Sequence, residues 1–561
     1  MEKKRVAIIL RSAVTLGEGA MRRIPYHATR SCARRYAASQ DDVQRFIYHS
    51  AWIWLAFFVL LNAWVSEDAY ITLRVLDNFF HGYGLRWNIN ERVQVYTHPL
   101  WLLLHIPINI FLSNLFLTNV ILSTLTMMGA VFLTLNTVRK PLLITLSCFF
   151  LPIMASKALR DYSTSGLENP LSYLLFALFG YILLKKYGHP KFWLYCSLTV
   201  ALALLNRLDM IIFYAPTLVW LAWHRFHEIR WRQILIGALP LLAWFAFAFL
   251  YYGFLFPNTK YAKLNTGIET YRYIRQGLIY AKYTLLTDTA TGLAILSSLV
   301  FIALAMLKKN LPILPLCLAL GIYFDVLYVI YIGGDYMVGR FWSYPAFVAV
   351  WLAYVYMPDN INPKAIYALI ALLLLVGAPL PTSSYLRKYC LDACGMNPNP
   401  MIDAKWMFNG EQFIPKLSPF TINTDAHHKF VGWAEALAKK APGHVEKAHF
   451  IGMLGYYAGP GNILIDELAL ADPLLARLPV PPNNNWFFSG HFQRPIPAGY
   501  IDAVKTGSTE KMDPSLALYY EKLRLITSGD LTDPERIKTI IAFNLGTYDH
   551  WKRDYLLCTV W

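Results

Sequence analysis

Charged residues are scarce in this chain. Only 15% of its 561 residues are Asp, Glu, Lys or Arg, whereas 56% are hydrophobic and 15% are aromatic. Soluble proteins average about 25% charged residues, and the mean hydropathy of this chain is +0.37. The shortage of charge argues against intrinsic disorder and against a cytosolic multidomain enzyme. The composition instead predicts a polytopic membrane protein.

The chain also lacks the motifs of several common protein classes. Its seven cysteines have no zinc-ligand spacing, and it contains no Walker loop, dinucleotide fingerprint or G-x-S-x-G elbow. We therefore expect no cofactor and no required metal. Cys390, Cys394 and Cys558 lie in one polar region, and a disulfide among them is one interpretation if that region lies in an oxidising compartment.

Acidic residues are fewer than basic ones, which gives a formal net charge of +16. In a soluble protein this excess would favour nucleic-acid binding. In a membrane protein, Lys and Arg collect in cytoplasmic segments. We favour the second interpretation, and we expect a lipid bilayer as partner and no nucleic acid. The basic leader at residues 1–46 is accordingly predicted to lie in the cytoplasm.

Long apolar stretches occur between residues 47 and 380 and stop after that. If every stretch spans the membrane, several basic clusters fall outside the cell. If 98–116, which contains Pro99, His105 and Pro107, is instead a half-inserted helix, about eleven spans remain and every cluster becomes cytoplasmic. The sequence thus predicts a transmembrane domain at 47–380 with a periplasmic loop at 66–118, followed by a smaller mixed α/β periplasmic domain at 381–561.

The unusual polar segments all fall on the extracytoplasmic side of this topology. They are 66–101, 157–169, 206–209, 256–263 and 333–341. Ionisable groups at membrane depth are costly and usually face a cavity or a partner, so we expect these segments to line one cavity. Glu67 and Asp68 directly follow the first span. A carboxylate in an apolar-walled cavity suits a general base that acts on a hydroxyl, and solvated helix ends are the alternative.

Basic residues in the same segments are suited to bind an anion. Guanidinium groups contact phosphate in bidentate fashion, and the candidates are Arg160, Arg207, Lys260, Lys263 and Arg340. The alternative is that they form structural salt bridges, with Asp161, Glu168, Asp209 and Asp335. In the C-terminal region, Trp486 and its neighbours Phe487 and Phe488 could stack on sugars beside His491, or pack in a core.

Several of these segments together resemble a known family. EDAYITLR (67–74), GYGLRWN (82–88) and ERVQVYTHPLW (91–101) are similar to the first external loop of membrane-embedded GT-C glycosyltransferases, in particular bacterial terminal arabinofuranosyltransferases. Later segments of that family recur in the same order, as TSGLE (164–168), LNRLD (205–209), PNTKYAK (257–263) and GGDYMVGR (333–340).

The resemblance implies an α-helical GT-C fold in a bacterial inner membrane. It also implies an inverting transfer of a sugar, arabinofuranose by resemblance alone, from a polyprenyl-phosphate donor to a cell-envelope glycan or protein acceptor. Asp68 corresponds to the family's catalytic base, and Glu67 is a second candidate. We predict that the donor phosphate is bound by Arg340, Arg207, Lys260, His98 and Arg160. We predict acceptor or sugar contacts from Asp335, Glu168, Trp486 and His491.

Two other functions fit parts of the same pattern. A transporter or flippase of a lipid-linked saccharide could use a polar cavity, but it would favour internal repeats and polarity in both halves of the spans, and neither is visible in the sequence. Among enzymes, an oligosaccharide ligase that acts on pilin or lipopolysaccharide is the alternative. A glycan-binding scaffold would leave Asp68 and the basic residues without a role.

Overall fold

The computed structural model describes residues 46–47, 49–264, 266–307, 313–377, 404–405, 429–481 and 489–558. Within these residues the chain is mostly helical. It divides into two units, Met1–Leu55 and Ala56–Trp561, and the candidate site lies wholly within the second. Trp486, Cys390 and Cys394 fall outside the described residues, whereas Cys558 is exposed with a free thiol.

Apolar helices make up most of the chain before residue 380. Three described helices are long and apolar enough to cross a membrane, namely Leu115–Thr137, Trp231–Tyr252 and Ile313–Tyr331. A bent pair, Thr270–Thr287 and Thr289–Ala303, is a fourth candidate. Shorter apolar helices are His49–Leu61, Pro99–Leu112, Leu142–Ala155, Asn169–Lys185, Phe192–Asn206, Leu208–His224, Ser343–Tyr356 and Pro363–Val376. These helices fit a membrane protein, and the number of about eleven spans stays a prediction.

The segment predicted to be half-inserted forms the helix Pro99–Leu112. Its 14 residues rise about 21 Å at 1.5 Å per residue, which is less than the roughly 30 Å of a bilayer core. It ends at Ser113, which has a left-handed φ of 49°, and Asn114 caps the next helix. A hydrogen bond of 3.1 Å between His105 and Asn119 ties the two helices together.

The remaining helices lie in loops and in the C-terminal region. They are Glu67–Phe80, Lys157–Asp161, Asn258–Leu264, Lys429–Ala438, Met453–Ala458, Tyr500–Thr506, Pro514–Ser528, Pro534–Asn544 and Asp549–Cys558. The described strands form one parallel pair, Val445–Ala448 and Ile463–Asp466, with Val445 opposite Ile463. Asn88 extends the edge of this pair, because its side-chain amide both donates to and accepts from the backbone of Leu464.

The helix Glu67–Phe80 is packed directly against the C-terminal region. Tyr70 contacts the rings of Tyr456 and Tyr457 at 5.3 and 5.7 Å. Buried Arg74 donates to the carbonyls of Gly455 and Asn462. A buried guanidinium is costly unless its donors are satisfied, so these bonds fix the orientation of the helix. Apolar side chains of both regions belong to one core.

A second attachment lies at the end of the helix Trp231–Tyr252. The last carbonyls of a helix lack partners within it, and a cation there is favourable. Arg536 donates to the carbonyls of Leu250 at 2.8 Å and Tyr251 at 3.0 Å, and Asn544 donates to that of Gly253 at 2.8 Å. The C-terminal helices therefore cap an apolar helix and are held close to the loops that carry the polar residues.

Candidate active site

Asp68 lies in the first turn of the helix Glu67–Phe80. Ser66 caps this helix, and its backbone N–H donates to the carbonyl of Ser165 at 2.7 Å, which anchors the turn to the TSGLE segment. The carboxylate of Asp68 accepts from the Tyr336 hydroxyl at 2.9 Å and from Arg340 Nη1 at 3.2 Å. Its side chain is 15% exposed. Asp68 is thus oriented by two donors while a part of it stays accessible.

Arg340 is the common partner of three carboxylates. Besides Asp68, its Nη1 donates to Asp335 Oδ2 at 3.1 Å, and its Nη2 lies 3.9 Å from Glu168 Oε1. Burial works to lower the pKa of Arg340, but the neighbouring carboxylates outweigh it and raise the pKa above its usual range. Arg340 therefore stays positively charged in the site.

Glu168 links the two arginines. Its side chain is 1% exposed, Arg207 Nη1 donates to its Oε1 at 3.1 Å, and His98 Nδ1 lies 3.3 Å from its Oε2. Burial alone would raise the pKa of Glu168, but His98, Arg340 and Arg207 lower it to about 2. Burial lowers the pKa of His98 to about 4, so at neutral pH the carboxylate is balanced by the two guanidinium groups.

Together these residues form what we call the charge cluster, defined as Asp68, Glu168, Arg207, Asp335 and Arg340. Arg207 also binds Asp209 through two of its nitrogens. The guanidinium groups of Arg207 and Arg340 lie 4.6 and 5.4 Å from the ring centre of Phe341. Residues from four of the five predicted polar segments therefore meet at one place.

Glu67, the second predicted catalytic acid, faces away from the charge cluster. Its carboxylate accepts from the backbone N–H of Gly452 at 2.5 Å, and the side chain is buried. Burial, with a smaller effect of Asp68, raises the pKa of Glu67 to about 8. Neighbouring residues on a helix point about 100° apart, so only one of the two carboxylates can face the cluster. The geometry makes Glu67 an attachment to the C-terminal region.

The two lysines of the PNTKYAK segment have different surroundings. Lys260 is exposed, and its Nζ lies 3.3 Å from the ring centre of Phe256. The structure thus does not bring this predicted phosphate ligand into the charge cluster. Lys263, one helical turn later, is half-buried instead. Burial lowers the pKa of Lys263, and the attraction of Asp335 opposes that shift.

Arg160 also lies apart from the charge cluster. Its Nε is 3.4 Å from Asp161 Oδ1. Asp161 is buried and additionally pairs with Lys157 and Lys405. Arg160 therefore forms a structural salt bridge, which was the alternative to its predicted role in anion binding.

The C-terminal region contributes His491 to the wall of the site. The imidazole ring meets the ring of Tyr336 edge-on, with centroids 4.7 Å apart, and Tyr336 in turn donates to Asp68. Ser489 Oγ donates to the carbonyl of Gly334 at 3.2 Å. Tyr336 was not predicted as a site residue. Its position next to Asp335 in the GGDYMVGR segment could have indicated it.

The described residues include no group of three or more His, Cys, Asp or Glu side chains arranged to hold a metal. What the charge cluster does offer is an oriented carboxylate beside two guanidinium groups. This arrangement can accept a proton and stabilise an anion at neighbouring points.

Two curated proteins are similar in sequence to this chain. A terminal β-(1→2)-arabinofuranosyltransferase of Corynebacterium glutamicum is 28% identical over 365 residues, which is 55% of this chain and 50% of that protein. A terminal β-(1→2)-arabinofuranosyltransferase of Mycobacterium tuberculosis is 28% identical over 246 residues, which is 39% of this chain and 37% of that protein. The chain thus spans half or less of the length of these relatives.

No family model matches the chain, and no solved structure does. The two distant relatives support a relationship to arabinofuranosyltransferases. These matches agree with the resemblance to terminal arabinofuranosyltransferases found in the sequence motifs.

Proposed function

We propose that this chain is a membrane glycosyltransferase that moves a sugar from a polyprenyl-phosphate donor to a cell-envelope glycan or protein acceptor. We further propose arabinofuranose as the sugar, because both curated relatives are named as arabinofuranosyltransferases. The observation that carries the proposal is the position of Asp68, which is held between Tyr336 and Arg340 inside a cluster with a second arginine.

The reaction that suits this arrangement is a direct displacement. The acceptor hydroxyl oxygen forms a bond to the anomeric carbon, and its proton passes to Asp68. The bond between that carbon and the phosphate oxygen breaks, and its electron pair leaves with the polyprenyl phosphate. Because the attack comes from the face opposite the phosphate, the configuration at the anomeric carbon inverts. Tyr336 and Arg340 orient the carboxylate for this proton transfer.

During this step Asp68, a partner of Arg340, loses its negative charge while the departing phosphate gains one. Before transfer, the carboxylate of Asp68 lies 3.2 Å from Arg340 Nη1. When Asp68 takes the proton, it loses its charge at the moment when the departing phosphate gains one. Arg340 can then stabilise the new anion more strongly, since one of its carboxylate partners has become neutral. Arg207, which contacts the same Glu168 as Arg340, adds a second positive charge to the site.

The test is Asp68→Asn in the full chain, reconstituted in proteoliposomes with a synthetic polyprenyl-phospho-arabinofuranose and a panel of acceptors. Asn keeps the size of the side chain and an acceptor for Tyr336, but it cannot take the proton. We expect transfer to fall by about 10²- to 10⁴-fold, the usual contribution of a general base. Donor binding should change little.

Asp77→Asn is the matched control, because Asp77 lies on the same helix and contacts His81 rather than the charge cluster. It should retain transfer. Near-normal turnover by Asp68→Asn would remove the base from the proposal. If the wild-type chain moves the lipid-linked sugar across the bilayer without product, it is a flippase. If it transfers only preassembled oligosaccharides, it is a ligase.

A further inference from the structure

The two arginines of the charge cluster already have carboxylate partners. Arg340 binds Asp68 and Asp335, and Arg207 binds Glu168 and Asp209. Four carboxylates thus surround two guanidinium groups. A phosphate that enters the site would meet an excess of negative charge unless another cation is present. A phosphate site here therefore needs a third cation near the two arginines.

Lys263 is a cation of this kind. Among the residues that the structure describes, no hydrogen-bond or ion-pair partner is found for its Nζ, whereas Arg207 and Arg340 have several. Its side chain is half-buried. A partly buried ammonium that makes no hydrogen bond is costly, and perturbed charged groups of this kind concentrate at functional sites.

The position of this ammonium is set by the C-terminal region. A Cβ atom added at Gly490 would lie 3.0 Å from Lys263 Nζ, so the ammonium rests against that glycine. Ser489, the preceding residue, donates to the carbonyl of Gly334, next to Asp335 in the chain. Lys263 also interacts electrostatically with Asp335, Arg340 and Asp68. The ammonium thus lies near the carboxylates of the charge cluster, but it makes no direct hydrogen bond or ion pair with a described residue.

We propose that Lys263 binds the phosphate of the lipid-linked donor and of the polyprenyl-phosphate product. This inference rests on the proposed function and selects Lys263 rather than Lys260, although the sequence made both of them candidates to bind an anion. A lysine ammonium is a compact charge with three donors, which suits a phosphate oxygen that approaches from different directions. Its charge offsets the carboxylates that occupy the arginines, and it stabilises the leaving group as the bond to the sugar breaks.

Lys260 provides a matched control within the same seven-residue helix, Asn258–Leu264. It has the same charge and lies one turn earlier, but it is exposed and stacks on Phe256. Any effect of general surface charge on a lipid phosphate would be similar for the two lysines. A phosphate site at Lys263 alone would make their effects different.

The experiment measures binding of polyprenyl phosphate to the full chain in nanodiscs, together with the KM of the synthetic polyprenyl-phospho-arabinofuranose. The variants are Lys263→Met, Lys263→Arg and Lys260→Met, each checked for folding by its thermal unfolding temperature. A hydrogen bond to a charged group contributes about 1.5–3 kcal/mol. We therefore expect Lys263→Met to weaken binding about 10- to 100-fold. Lys263→Arg should retain most of it, and Lys260→Met should leave it unchanged.

Equal losses for Lys263→Met and Lys260→Met would overturn the inference, as would unchanged binding by folded Lys263→Met. A wild-type chain that binds no polyprenyl phosphate would also overturn it. Binding is measured without sugar transfer, so failure of the proposed function has a separate signature. In that case the wild-type chain forms no glycosylated product, while polyprenyl phosphate still binds and Lys263→Met still weakens it.

Discussion

At the scale of single residues, the orientation of a side chain decides its role more than its type does. Glu67 and Asp68 are adjacent acids on one helix, yet Asp68 faces Arg340 and Glu67 binds the backbone of Gly452. Lys260 and Lys263 differ in the same way. The sequence identified the segments that carry these residues. The residue pattern alone, without the family resemblance, could not choose between neighbours, because the rotation of a helix about its axis is set by its packing against other elements.

Glu67 provides a test of this assignment through pH. Its pKa is about 8 in the folded chain, against 4.5 for an ordinary Glu. The folded state therefore holds a proton that the unfolded state releases, and stability falls as the pH rises from about 5 to 8, by at most about 1.4 kcal/mol per pH unit. Glu67→Gln still accepts from Gly452 and cannot ionise. We expect its unfolding temperature to exceed that of the wild type increasingly over this range.

The comparison uses thermal unfolding of both chains in the same detergent at pH 5, 6, 7 and 8. Buried acids that do not interact with Glu67 affect both chains equally, so the difference between the chains reports on Glu67 and on the acids that interact with it, Asp68 and Asp466. Glu67→Ala loses the hydrogen bond and should be less stable than Glu67→Gln at every pH. A difference that stays constant with pH would contradict the raised pKa. Loss of sugar transfer by folded Glu67→Gln would return Glu67 to a catalytic role.

At the scale of elements, the site depends on how closely the helix Glu67–Phe80 approaches the C-terminal region. A Cβ added at Gly452 would lie 1.9 Å from the backbone oxygen of Glu67. Because that neighbour is backbone, it cannot move aside cheaply. We expect Gly452→Ala to destabilise the chain by roughly 1–3 kcal/mol, as overpacking usually does, and to lower sugar transfer by shifting the turn that holds Asp68.

Gly432→Ala is the control for this substitution. Gly432 lies within the helix Lys429–Ala438, and an added Cβ there would meet nothing within 4 Å. Ala is a better helix former than Gly by about 1 kcal/mol, so this variant should be as stable as the wild type or more stable. Thermal unfolding and transfer assays of the two variants check the prediction. Equal behaviour of Gly452→Ala and Gly432→Ala would show that the backbones of Gly452 and Glu67 do not lie in close contact.

The elements differ in how well the sequence predicted them. The distribution of Lys and Arg and the interrupting residues predicted a half-inserted helix at 98–116, and the structure has the short helix Pro99–Leu112 there. The contribution of the C-terminal region was harder to predict. Gly452 and Gly490 reach the site from far along the chain and were not predicted to do so, whereas His491, a predicted acceptor or sugar contact, lies against Tyr336. No local pattern reports such a contact, since it depends on tertiary packing that a single sequence does not reveal.

At the scale of the whole molecule, one arrangement in the membrane is required by the proposed chemistry. A lipid-linked donor has its phosphate at the membrane surface, so the charge cluster must open to one side. The loops that form it and the C-terminal region share one apolar core, and they must therefore lie on the same side. The distribution of Lys and Arg predicts that this side is the periplasm.

Labelling of single cysteines tests this orientation. Ser508 is exposed in the C-terminal region, and His227 is exposed in the loop after the helix Leu208–His224. In a background with Cys32, Cys390, Cys394 and Cys558 replaced by serine, we expect Ser508→Cys to react with a membrane-impermeant maleimide once the outer envelope is opened. His227→Cys should react only after the inner membrane is permeabilised. The unsubstituted background is the control, because the described cysteines that remain are buried. Labelling of position 227 but not 508, in cells whose inner membrane is intact, would place the charge cluster in the cytoplasm. That result would contradict the external orientation predicted from the distribution of Lys and Arg.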